Sequence, residues 1–146
     1  MKNLKMLLSA MLFIVFTTGA LAQNNNYKSQ TVSPSGVLTD HNNTTIGTIE
    51  SDGTFKNANG EVIGKLVKNA GDPSKFDFSD KTGKKVATVL NNGTVVDTNG
   101  KVLYTVSAPD AKGYCKVFDT DNKEIGMVHE DHKHKGAVLM HATKKK

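Results

Sequence analysis

The sequence predicts an all-β fold of five repeated β-hairpin units closed into a ring. Three observations carry that expectation. A hairpin-sized repeat runs along the chain, one turn signature recurs in every copy, and apolar residues hold fixed places around each turn.

The repeat is clearest between residues 49–66 (IESDGTFKNANGEVIGKL) and 89–106 (VLNNGTVVDTNGKVLYTV). Gly53 falls on Gly93, Phe55 on Val95, Gly60 on Gly100 and Ile63 on Leu103. Residues 32–49 fit the frame directly. Residues 66–89 fit with an insertion at 71–76, and 106–128 with one at 108–113. Each turn opens on Asp or Asn, at Asp40, Asn57, Asp80, Asp97 and Asp119. Three residues later stands Asn or Gly, at Asn43, Gly60, Gly83, Gly100 and Asn122. The first side chain bonds back to the turn backbone and the second residue accepts positive φ, which specifies a type I turn closed by a glycine bulge.

Leu38, Phe55, Phe78, Val95 and Val117 precede the turns. Ile46, Ile63, Val86, Leu103 and Ile125 follow them, and after these come Ile49, Leu66, Val89, Val106 and Val128. The last two sets are three residues apart, so a regular strand would put them on opposite faces. Between them lie Gly47, Gly64, Ala87, Tyr104 and Gly126, mostly small, where a bulge or bend is expected. Phe55, Ile63, Leu66, Val86, Val89, Leu103, Val106, Ile125 and Val128 are the expected core. A lone hairpin is marginal in water, but several in series share one centre, and a ring removes exposed edges. Residues 136–141 (GAVLMH) are expected as a closing strand, paired with an N-terminal strand near 27–32.

The D-x-N-G turns and the small residues at Gly47, Gly64 and Gly126 resemble the bacterial five-fold β-flower proteins, small exported proteins without an established activity. The resemblance spans residues 32–128 and implies a closed, pseudo-five-fold, flower-like arrangement of hairpins. Tyr104 and the two insertions depart from the pattern.

Residues 1–22 read as a secretory signal peptide: Lys2 and Lys5, an apolar run over 6–16, and Ala20-Leu21-Ala22 as the cleavage site. The run is well short of the ~20 residues that span a bilayer. The expected organisation is a leader at 23–31, the β domain with its closing strand at 32–141, and a basic tail at 142–146. Without Lys2 and Lys5 the formal net charge of +5 falls to +3, which equals Lys144, Lys145 and Lys146. The body is therefore nearly neutral. The chain contains no arginine, which argues against a nucleic-acid partner. Its one cysteine, Cys115, excludes an internal disulfide.

Chemistry-bearing residues are few. His129, His132 and His134 lie close together beside Glu130 and Asp131, with His141 beyond. Were residues 131–135 extended, His132 and His134 would face one side and could share zinc or copper. Residues 119–124 lack the length and the glycine of a calcium loop. Cys115 falls in the position of Gly36, Gly53 and Gly93, which points to packing rather than nucleophilic chemistry. No nucleophile–base pair or paired carboxylate is recognisable, so an enzyme is disfavoured. The expected role is an exported, non-enzymatic module without a cofactor, periplasmic or extracellular, that binds an unknown protein or envelope component or serves structurally there. Residues 71–76 and 108–113 are the expected places for surface specificity. The alternative is an exported divalent-metal protein.

Overall fold

A computed structural model describes residues 30–144. The expected signal peptide, residues 1–22, lies outside the described residues, as do 23–29, Lys145 and Lys146. Among the described residues eleven strands follow in order: β1 (Gln30–Val32), β2 (Val37–Thr39), β3 (Thr45–Ile49), β4 (Thr54–Asn57), β5 (Val62–Lys68) and β6 (Phe76–Asp80) come first. Then come β7 (Lys85–Val89), β8 (Val95–Asp97), β9 (Val102–Val106), β10 (Tyr114–Phe118) and β11 (Glu124–His129). They close into one barrel in sequence order. Every neighbouring pair is antiparallel except β1 and β11, which run parallel with Gln30 opposite Gly126 and Val32 opposite Val128. That exception is forced: in an up-and-down order with an odd number of strands, first and last point the same way.

The closing element differs from the expected one. Residues 136–141 do not form a strand. They belong to helix α1 (Gly136–Thr143), and β1 alone closes the ring. The expected leader correspondingly ends inside β1, at Gln30 and Thr31. The cause is the width of the barrel. About eight strands leave an interior that side chains can just fill, so a larger ring has a lumen to occupy. Helix α1 occupies it, packing against β2, β3, β5, β9 and β11. Gly136, Ala137, Val138, Leu139 and Met140 are all buried, as a helix apolar on every side requires.

Turn chemistry follows the sequence. Asn43, Gly60, Gly83, Gly100 and Asn122 all have positive φ, between 60° and 85°. At the Asp97 turn, Oδ1 accepts N–H bonds from Asn99 (2.8 Å) and Lys101 (2.9 Å), and the Gly100 N–H donates to the Asp97 carbonyl. A Cβ on Gly100 would meet nothing within 4 Å, so backbone conformation alone sets the cost of replacing it. Gly100→Val is expected to destabilise by roughly 1–3 kcal/mol, read as a lower urea midpoint at constant slope.

Past each of these turns the ladder slips by one residue. The shifts fall between Leu38 and Thr39, Phe55 and Lys56, Phe78 and Ser79, Val95 and Val96, and Val117 and Phe118. The extra residues opposite are Ile46, Ile63, Val86, Leu103 and Ile125, each one place before the small residue where the bend was expected. The bulges bring residues three apart onto the inner side. Phe55, Leu66, Val89 and Val128 are buried as expected, whereas Ile63, Val86, Leu103, Val106 and Ile125 are only partly buried against the core. The bulge residues stand at the barrel mouth beside the turns, where the wall ends.

The small residues make room for the filling. A Cβ on Gly47 would lie 3.0 Å from Thr143 Cγ2 and 3.2 Å from Leu139 Cδ1, and one on Gly126 2.9 Å from Met140 Cε. At the opposite end, Gly36, Gly53, Gly93 and Gly113 have positive φ. Gly113, and not Cys115, therefore matches the first three. Cys115 lies within β10 opposite Val128, because this hairpin is longer by a residue pair of each strand.

Candidate functional site

Strand direction gives the barrel two unlike ends. The chain leaves β11 beside the Gly36, Gly93 and Gly113 turns, crosses that end as a strap over residues 130–135, and enters the lumen as α1. The Glu130 N–H donates to the Gly113 carbonyl (2.8 Å), and the Lys133 carbonyl lies against Gly93. This strap carries the histidines singled out in the sequence. Its first part is a 3-10 turn, Glu130–His132, so the extended backbone that would align His132 with His134 does not form.

The three rings face different parts of the barrel: strand β10, the β1–β2 turn and strand β6. His129 packs edge-on against Tyr114 of β10, and its Nδ1 accepts the Asp131 N–H at 3.3 Å. His132 Nε2 lies 2.8 Å from the Pro34 carbonyl, which can only accept, so the ring donates there. His134 stacks on Phe76 of β6 at a centroid distance of 5.7 Å. His141 sits at the other end of α1, its Nδ1 3.1 Å from Tyr104 Oη. Among the described residues, no three His, Cys, Asp or Glu side chains are grouped to hold a metal ion.

The other sequence candidates have structural roles. Cys115 is buried, and burial pushes its thiol up, away from the reactive thiolate. Asp119 Oδ1 accepts the N–H groups of Asp121 (2.9 Å) and Lys123 (3.0 Å), the capping pattern of the other turns. The insertions lie at the strap end. In the first, Asp72 accepts from the Ser74 hydroxyl (2.6 Å) and pairs with Lys75 (3.1 Å).

The open end is what sequence reasoning missed. Here α1 stops among the Asp40, Asn57 and Asp80 turns, and two grooves flank its last turn. One, of about 820 Å³, runs between the first two turns over Ile46 and Ile63. The other, of about 450 Å³, lies over Ile63, Phe78 and Val86. Ala142 and Lys144 line both. Lys144 Nζ donates to Tyr104 Oη (2.8 Å) and stands 5.0 Å above the Tyr104 ring. The apolar residues after each turn are legible in the sequence. Their meeting with the end of α1 is not, because the apolar run over 136–141 reads equally as a strand.

Several turn carboxyls are held below their ordinary range. Thr44 and Asn42 N–H groups act on Asp40, and the Thr82 hydroxyl acts first on Asp80. Asp72 is lowered to about 2, by Ser74 first and then Lys75. At Asp77, burial pushes upward, but the Lys85 ammonium, Asn69 and Thr88 outweigh it. A carboxyl lowered on folding stabilises above its unfolded value and loses that contribution as pH falls through the folded one. The melting temperature is therefore expected to fall as pH drops from about 4 toward about 2. A thermal melt series that rises on acidification would contradict this.

Comparison with known proteins finds no matching family model, no matching curated protein and no matching solved structure.

Proposed function

We propose that this chain is an exported, non-enzymatic binding module of the β-flower type, built from five hairpin units in a pseudo-five-fold arrangement. It offers the open end of its barrel to a partner in the cell envelope. The signal-peptide pattern of residues 1–22 supports export. The recurring positive-φ turns and the slip after each of them support five equivalent units. Lys65, Lys85 and Lys116 are exposed on strands of at most seven residues, which suits a water-facing wall. No helix among the described residues is long and apolar enough to cross a membrane.

The observation that carries the binding role is the aliphatic groove at the open end, partly exposed in an otherwise well-filled barrel. The divergent histidines lend no support to the divalent-metal alternative.

Immobilised protein, from residue 23 onward, tests the reading against an envelope extract. Ala58→Trp, at an exposed groove residue, is expected to abolish capture of a specific partner. Lys112→Trp, at the strap end, is expected to preserve it. Equal behaviour of the two variants would count against the open end.

A further inference from the structure

The two grooves share Ile63, Ala142 and Lys144, so they are arms of one depression. Its floor is aliphatic, formed by the partly buried Ile46, Ile63 and Val86. The charges around it are not equivalent. Asp40 Oδ1 accepts the N–H groups of Asn42 (2.8 Å) and Thr44 (3.0 Å). Asp80 Oδ1 accepts the Thr82 hydroxyl (2.6 Å) and the N–H groups of Thr82 (2.9 Å) and Lys84 (3.2 Å). Both carboxylates are thus engaged by their own turns. Lys144 makes no ion pair with another described residue, and Tyr104 takes only one of the three N–H donors an ammonium carries.

Resting on the binding-module reading, we propose that this depression takes a single-chain amphiphile with one anionic head, such as a long-chain carboxylate. The hydrocarbon lies along Ile46, Ile63 and Val86, and the head sits on Lys144 Nζ. Groove volumes of about 820 and 450 Å³ suit a small ligand. An anion beside an apolar floor gains more from one ammonium than it does in bulk water. The fixed negative charges of Asp40 and Asp80 on the rim disfavour a second anionic group, which separates this ligand from a polyanion.

Calorimetric titration of the chain from residue 23 with dodecanoate, below its micelle concentration, tests the assignment. Hexanoate and dodecyltrimethylammonium serve as the companion probes. Each buried methylene is worth roughly fourfold in affinity, so hexanoate is expected to bind at least about a hundredfold more weakly. Lys144→Glu is expected to weaken dodecanoate roughly tenfold and to strengthen the cationic probe. Ala58→Trp is expected to weaken both long-chain probes. Both positions are exposed, and an unchanged thermal melt establishes that each variant is folded. Dodecanoate binding that ignores Lys144→Glu or Ala58→Trp overturns the proposal. Failure of dodecanoate to bind, while Ala58→Trp still abolishes partner capture, also overturns it but leaves the binding-module reading standing. Failure of both removes both.

Discussion

A chain ended before Gly136 is expected to lose cooperative unfolding altogether. Helix α1 is not an appendage: Val138, Leu139 and Met140 have no exposed surface, and the strands around them bury their inner residues against them. Fully burying one such side chain contributes roughly 1.5–3 kcal/mol, and a whole domain is stable by only about 5–15 kcal/mol. Removing the helix therefore takes away most of the margin and leaves a lumen that eleven strands cannot collapse to fill. A single truncation within it, Leu139→Ala, is expected to cost about 2–5 kcal/mol. Urea unfolding followed by far-UV circular dichroism reads both. A truncated chain that keeps the midpoint of the full chain would show that the strands alone close the core.

The same helix marks the boundary of what the sequence could disclose. Asp40, Asn57, Asp80, Asp97 and Asp119 declared the turns because an Asx side chain acts on backbone two to four residues away. The bulges were legible to within one residue from the spacing of Ile63 and Leu66. Residues 136–141 were not, because a short apolar run reads equally as a buried strand or a buried helix. Only the width of the finished barrel decides between them, and that width is set by closure of β1 on β11. The sequence repeat misplaces Cys115 for a related reason. The longer β10–β11 ladder is fixed by pairing across strands, with Tyr114 opposite His129, and not by local composition. The extended backbone over 131–135, the condition under which His132 and His134 would face one side, does not form, because the strap begins with a 3-10 turn. The candidate groove needed turns from separate hairpins to meet the helix end, so no window of sequence contains it.

Small inward residues supply the second large effect, and Gly64 is its sharpest case. A Cβ there would fall on the Phe78 ring, with Cε2 at 2.5 Å, and within 2.6 Å of the Ser79 carbonyl oxygen. Phe78 is itself fixed, 2 % exposed and stacked on Phe55 at 5.3 Å, so its ring cannot swing aside. Gly64→Ala is thus expected to cost about 1–3 kcal/mol although Ala is the better strand former, since overpacking outweighs propensity in a filled core. Its origin in the ring can be isolated. Phe78→Leu removes the ring edge at a cost of its own, and in its presence Gly64→Ala should become cheaper. A double-mutant cycle is expected to return a coupling of roughly 0.5–3 kcal/mol. Rescue should be incomplete, because the Ser79 carbonyl stays in place whatever stands at position 78. Strictly additive losses in urea would mean that the missing Cβ is not reserved for Phe78 and that the backbone at Gly64 sets the cost.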